Sequence, residues 1–247
     1  VPVMALSVVI PSFVGIAQAD PVTKTVYVDV EKNVLHGNLL KEPVKVELSD
    51  TSTILDATKQ AYGASGVDAS AGYIAAFADT NTAFTYDYEE DIRDATNDVV
   101  YRTDLDNQPI VSDSNWLRET EYNGISGWMF TVNNAVADGS YNYYTAATPL
   151  SALPDGAVIR WEFSEAFGAD LGMTGAYVPI EATATEYYNW NTAVPFAPLF
   201  TRADKTILIS KMADHANKTD TAYTNALNEL KTLISTQSNV NTKAAAL

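Results

Sequence analysis

Gly124-Ile125-Ser126-Gly127-Trp128-Met129-Phe130-Thr131-Val132-Asn133-Asn134, with Pro154-Asp155-Gly156-Ala157-Val158-Ile159-Arg160-Trp161-Glu162-Phe163 twenty residues later, decides how this chain folds. Trp128, Phe130 and Val132 alternate with Met129 and Thr131, the period of a half-buried strand. Asn133-Asn134 closes that strand, because asparagine tolerates the positive φ of a tight turn. Asp155-Gly156 signals a second turn, and a second strand follows with Ile159, Trp161 and Phe163 toward the core. Val158, Arg160 and Glu162 fall on its other side. Two aromatic strands joined by a tyrosine-rich loop make a sheet with an adjustable rim, which is binding architecture before it is catalytic.

The flanking sequence supplies further layers. Thr25–Val30 and Pro43–Leu48 alternate as strands, and His36-Gly37-Asn38 between them suits a hairpin. Thr53 and Asp56 have the spacing of a capping box, and Ile54, Ala57, Thr58, Ala61 and Tyr62 then share one helical face up to the stop at Gly63. Gly72–Phe77 reads as another short strand. Strands with one helix laid on them predict an α+β class, with a mixed or antiparallel sheet and one packed helix.

These residues carry a resemblance. Ser126–Asn134, then Leu153-Pro154-Asp155-Gly156 and Ile159-Arg160-Trp161-Glu162-Phe163, resemble the domain of unknown function DUF4430, similar to the C-terminal β-domain of the vitamin B12 carriers transcobalamin and intrinsic factor. Asn134 stands where that family usually has glycine, and Ala157 where it has a second aspartate. The resemblance covers roughly residues 24–172 and implies an extracellular or cell-surface protein of a Gram-positive bacterium. It also implies a cobalamin-like corrinoid as the sharpest ligand guess. The B12 carriers use a large helical domain besides this one, so the chain would supply half of such a site.

Composition bounds the partners. Acidic residues number 31 against 15 basic ones, a formal charge of −16, and such a surface repels nucleic acid and anionic lipid. The apolar share of 47% permits a sizeable core, and the absence of cysteine removes disulfides and thiolate chemistry. Val1–Ala19 is uncharged, broken by Pro11, and closes on Ala17-Gln18-Ala19; it is expected to be a signal peptide truncated at its start, leaving no transmembrane span in the mature chain. The expected organisation is then a DUF4430-like α+β domain over 20–172, a packed linker over 173–200 and a helical module over 201–247. In the last, Leu208, Met212 and Ala216 line one helix, Tyr223, Leu227, Leu230 and Ile234 a second, and Val240 begins a third. The spacing resembles the FIVAR-type three-helix modules of wall proteins. Two helices and a stub bury little core of their own, so the natural chain is expected to continue past Leu247.

Chemistry is sparse. His36 and His215 are the only histidines, in separate predicted units, so no metal site and no catalytic residues are assigned. The sequence has neither a nucleophile elbow nor a P-loop. Glu162 with Glu165 is a carboxylate pair by type, but carboxylates on an acidic protein are usually solvated charges. The acidic run from Asp87 to Asn107 lacks the glycine and glutamate of an EF-hand loop and is read as a solvated excursion, with calcium in an irregular loop as the alternative. Val99-Val100-Tyr101 inside it fits a strand or a helix. Binding has better material: Trp128, Asn133, Asn134, Tyr141, Asn142, Tyr143 and Tyr144 are the candidate ligand residues, rings as platforms and amides as hydrogen-bond partners. The sequence therefore predicts a non-enzymatic surface module that binds a small molecule or surface partner. Its alternative is a structural spacer or adhesin domain whose aromatics are all core.

Overall fold

The computed structural model describes residues 22–35, 38–79, 92–93, 99–101, 115–121, 126–135, 144–165, 168–173, 177–179, 193–195 and 200–247. The chain begins with β1 (Thr23–Lys32) and β2 (Asn38–Ser49), an antiparallel pair, followed by helix α1 (Ile54–Tyr62). Thr53 caps α1 reciprocally with Asp56, as the spacing predicts, and Gly63 at φ 109° ends it. Next come β3 (Val67–Ser70) and β4 (Tyr73–Ala78), then the short β5 (Ile92–Arg93) and β6 (Val99–Tyr101). Val99–Tyr101 is thus a strand; apart from it and β5 the acidic run, like Val1–Ala19, His36 and Gly37, lies outside the described residues. β7 (Trp116–Arg118), β8 (Gly127–Val132) and β9 (Ala157–Ser164) follow. In the expected linker, β10 (Tyr177–Pro179) pairs with β11 (Ala193–Pro195). The chain closes on α2 (Thr206–Asp214), α3 (Thr221–Lys231) and α4 (Gln237–Ala246).

The fold is α+β. Its main sheet is mixed, in the order β2-β1-β9-β8, with β1 and β9 parallel and the other pairs antiparallel. A second, antiparallel sheet has the order β3-β4-β7. Alternation assigns each residue of the main sheet to a face. Val26, Val28, Val30, Ile159, Trp161 and Phe163 share one core with α1 and with Phe77 and Leu117 of the second sheet. Asn133 and Asn134 turn at φ 52° and 59°, and Gly156 at 75°, so both predicted turns form where the sequence signals them.

The opposite face is covered as well. Val158, Tyr27 and Leu39 share a second core with Leu208, Ile209 and Met212 of α2, Tyr223, Ala226 and Leu230 of α3, and Val240 and Ala244 of α4. Tyr27 Oη donates to Asp214 (2.8 Å) and Tyr223 Oη to Glu42 (2.7 Å), tying the helices to both hairpin strands. The segment expected as a separate module is therefore a layer of the sheet domain, and the missing core of three short helices is supplied by β1, β2 and β9. Two of the expected face residues fall outside the helices: Ala216 is exposed beyond α2, and Ile234 follows α3, while Ile209 and Ala226 take buried places. All eight residues of β9 are buried in consequence. The strand is a central one.

Truncating Leu208, fully buried at this layer, to alanine is expected to cost about 2–5 kcal/mol. Urea unfolding followed by tryptophan fluorescence and by far-UV circular dichroism should shift as one transition. Two separated transitions would show that the helices are an independent unit.

Candidate functional site

Among the described residues, Trp128, Asn133, Asn134 and Tyr144 do not assemble into a platform. Trp128 is 6% exposed. Its ring meets Phe77 and Phe163 edge to face at centroid distances of 4.6 and 5.3 Å, and its Nε1 donates to Leu117 O (2.9 Å). The assignment of Trp128 to a ligand face is corrected: alternation gave the right side of the strand, but a second sheet from a distant stretch of chain closes over it. Trp161 is likewise closed in, its Nε1 donating to Thr58 Oγ1 (3.0 Å). Asn133 caps the start of β9, its Oδ1 accepting from Val158 N (2.9 Å), and Asn134 Oδ1 accepts from Arg202 Nε (2.6 Å). Tyr144 is exposed, at 38%; Tyr141, Asn142 and Tyr143 lie outside the described residues.

What the structure does assemble is a buried polar layer between the sheet and the helices. The parallel register sets Asp29 beside Arg160 and Glu31 beside Glu162, and the antiparallel register sets Thr131 and Met129 on their other side. Asp29, Glu31, Arg160, Glu162 and Lys205 are all buried. Arg160 grips Glu31 with Nε and Nη2 (Nη2–Oε2 2.8 Å) and reaches Glu162 with Nη2 (3.0 Å). From the far side Arg202 also grips Glu162, Nη1–Oε1 2.9 Å and Nη2–Oε2 2.6 Å. Fork-shaped guanidiniums matched to carboxylates are the geometry in which buried charges are best compensated.

Two further side chains complete the layer. Asn33 Nδ2 donates to Glu31 Oε2 and to Leu230 O (3.1 Å), while its Oδ1 is buried and meets no donor. Lys205 Nζ donates to the same Leu230 O (2.9 Å) and to Thr232 O (2.6 Å) at the end of α3. Burial, and after it the charge of Glu31, pushes the Asp29 carboxyl well above the usual range. Neither of its oxygens meets a hydrogen-bond partner. Burial also opposes the charge on Glu31, but Arg160 beside it holds that carboxyl below its usual value. Lys205 is drawn down to about 8, by burial and then by the positive charge of Arg160.

A separate acidic pair follows β9. Asp170 accepts from Ser164 Oγ (2.5 Å) and from Glu165 N (2.7 Å). Burial, then the Asp170 charge, pushes Glu165 up to about 8. Glu162 and Glu165 do not form a glycosidase-like pair, because both oxygens of Glu162 are closed off by Arg160 and Arg202. His215 Nε2 faces Asp220 (2.8 Å) and its ring stacks on Tyr223. Among the described residues, no group of three or more histidine, aspartate or glutamate side chains is placed to hold a metal, and no helix is long and apolar enough to cross a membrane.

The polar layer had a signal that the sequence reading passed over. Asp29, Glu31 and Asn33 recur every second residue opposite Val26, Val28 and Val30, and Arg160 and Glu162 do the same opposite Ile159 and Trp161. Complementary charges on the same face of two strands mark neighbours. Nothing comparable announces Arg202 or Lys205, which reach the layer from the connection into α2. No protein-family model, curated protein or solved structure matches the chain.

A carboxyl whose folded pKa is raised contributes stability that is present below its unfolded pKa and lost as pH rises through the folded value. For Glu165 that window runs from about 4.5 to about 8. Relative to Glu165→Gln, which keeps the neutral shape, the natural protein should lose on the order of a few kcal/mol between pH 5 and pH 9. Parallel urea curves for the two proteins across that range would refute the shift.

Proposed function

We propose that the chain is a non-enzymatic domain of an extracellular surface protein, related to DUF4430 domains, that serves as a mechanical spacer or adhesin unit. The observation that carries this reading is the pairing of β1 with β9. They are the first and last strands of the main sheet, they lie side by side at its centre, and they run parallel from Val26–Ala157 to Glu31–Glu162. A pull entering at the start of β1 and leaving from the end of β9 loads that ladder along the strands. Its hydrogen bonds must then fail together, not one after another as in a hairpin peeled from its end. A core on each face and the Arg160 ion pairs resist the same sliding. The closed tryptophans support this reading over a broad aromatic platform.

The ligand reading keeps one observation of its own. Tyr144 and Tyr73 are both exposed, on segments joined where Ala146 N donates to Gly72 O (3.1 Å). A small ligand, a corrinoid included, would find its exposed rings in Tyr73 and Tyr144.

Stretching single molecules between the two ends of the chain tests the spacer. The helices should unravel at low force, and the sheet should then hold until a much higher one or not open at all. Opening of sheet and helices together at low force would refute the proposal. Titration with cyanocobalamin should leave its absorbance unchanged; a saturable shift that Tyr144→Ser abolishes would favour the ligand reading instead.

A further inference from the structure

The buried layer holds three groups that neither capping nor ion pairing accounts for together: a desolvated amine, a carboxamide with an unmet oxygen, and the buried carboxyl of Asp29 two residues from Glu31. We propose that Lys205 and Asn33 are the two halves of an intramolecular isopeptide bond, formed by the folded protein on itself with loss of ammonia. Lys205 Nζ and Asn33 Nδ2 donate to one and the same oxygen, Leu230 O, at 2.9 and 3.1 Å, which holds the two nitrogens within two hydrogen-bond lengths of each other. Both side chains are buried, so water does not compete for either. Both neighbours of Asn33 Nδ2 are acceptors, which fixes the amide with its nitrogen toward Glu31 and Leu230.

The chemistry balances without a co-reactant. An amine attacks a carbonyl carbon only when neutral, and burial beside the guanidiniums of Arg160 and Arg202 brings Lys205 to about 8, where a substantial fraction carries its lone pair. Attack on Asn33 Cγ forms the Nζ–Cγ bond and places a proton in excess on Nζ. Glu31 touches Asn33 Nδ2 and accepts that proton, then passes it to Nδ2. The Cγ–Nδ2 bond breaks, ammonia leaves, and a secondary amide joins the two side chains. Burial favours the neutral form of Asp29, two residues from Glu31. The nucleophile class is that of lysines activated by desolvation and by neighbouring cations.

The ordinary reading of Lys205 is a cap on the last carbonyls of α3. It accounts for the contacts with Leu230 and Thr232 but not for Asn33, whose Oδ1 remains buried without a donor. Bond formation also has a mechanical consequence, which rests on the spacer reading although the bond itself does not. Asn33 follows β1 directly and Lys205 directly precedes α2. The covalent route from one end to the other would run along β1, across the bond and into α2, so residues 34–204 would carry none of the pull.

Mass spectrometry of the purified full chain decides the question independently of any function. The mass should fall short of the sequence mass by one ammonia, about 17 Da, and a protease digest should contain one branched species joining the Asn33 and Lys205 peptides. Lys205→Arg and Glu31→Gln should each restore the full mass and the two linear peptides. The bond is refuted by an unmodified wild-type mass with both peptides linear. A loss of about 18 Da with Lys205 joined to Asp29 or Glu31 would overturn the assignment to Asn33.

Discussion

Arg160 sits where the whole fold converges. It is buried at the centre of the main sheet, with Glu31 on the neighbouring strand and Glu162 two residues along its own. Removing such charges from water is costly, and ion pairs offset that cost only when the geometry is tight on every side. The surrounding structure is accordingly constrained. A slip of one residue between β1 and β9 would turn Trp161 into the charged layer and Arg160 into the aromatic core. The layer is a poor source of net stability but a strict one of register. It also explains why a parallel pair, with no short turn to fix it, settles on one alignment.

The covering helices follow from the same arrangement. A sheet face carrying Asp29, Glu31, Arg160 and Glu162 could simply face water, and the ions would then be well solvated. Instead Val158, Tyr27 and Leu39 interleave with them, and those apolar side chains draw α2, α3 and α4 onto the face. Closing the helices desolvates the ions, and Arg202 and Lys205 arrive with the helical segment to supply the missing contacts. Apolar burial brings the layers together while polar matching decides where they stop.

Much of the local structure was legible because it depends on near neighbours. The capping box at Thr53–Asp56, the paired asparagines and the alternation of β1 and β9 all act over a few residues. Depth was not legible, since it is set by chain far away. Trp128 lies on the face its period assigns, yet the segments carrying Phe77 and Leu117 decide that it is sealed. Arg160 and Glu162 mislead for the opposite reason: charged residues are rarely buried, so nothing local places their face inside. The helical segment was read as a separate module because its own apolar stripes are narrow. What completes them is the back of a sheet, which no helical period can reveal.

The contrast between the two lysine environments shows what is unusual in the polar layer. Lys32 is also buried, but the carboxylate of Asp79 answers it at 2.6 Å, which is what a buried ammonium requires. Lys205 has only carbonyl oxygens as direct partners, while the carboxylates of the layer are already held by Arg160 and Arg202. Arg160 and Arg202 take up Glu31 and Glu162, and Lys205 hydrogen-bonds to neither carboxylate. Burial and the neighbouring guanidiniums raise the share of neutral amine at Lys205, and an amine confined beside a carboxamide is a reactive arrangement in its own right.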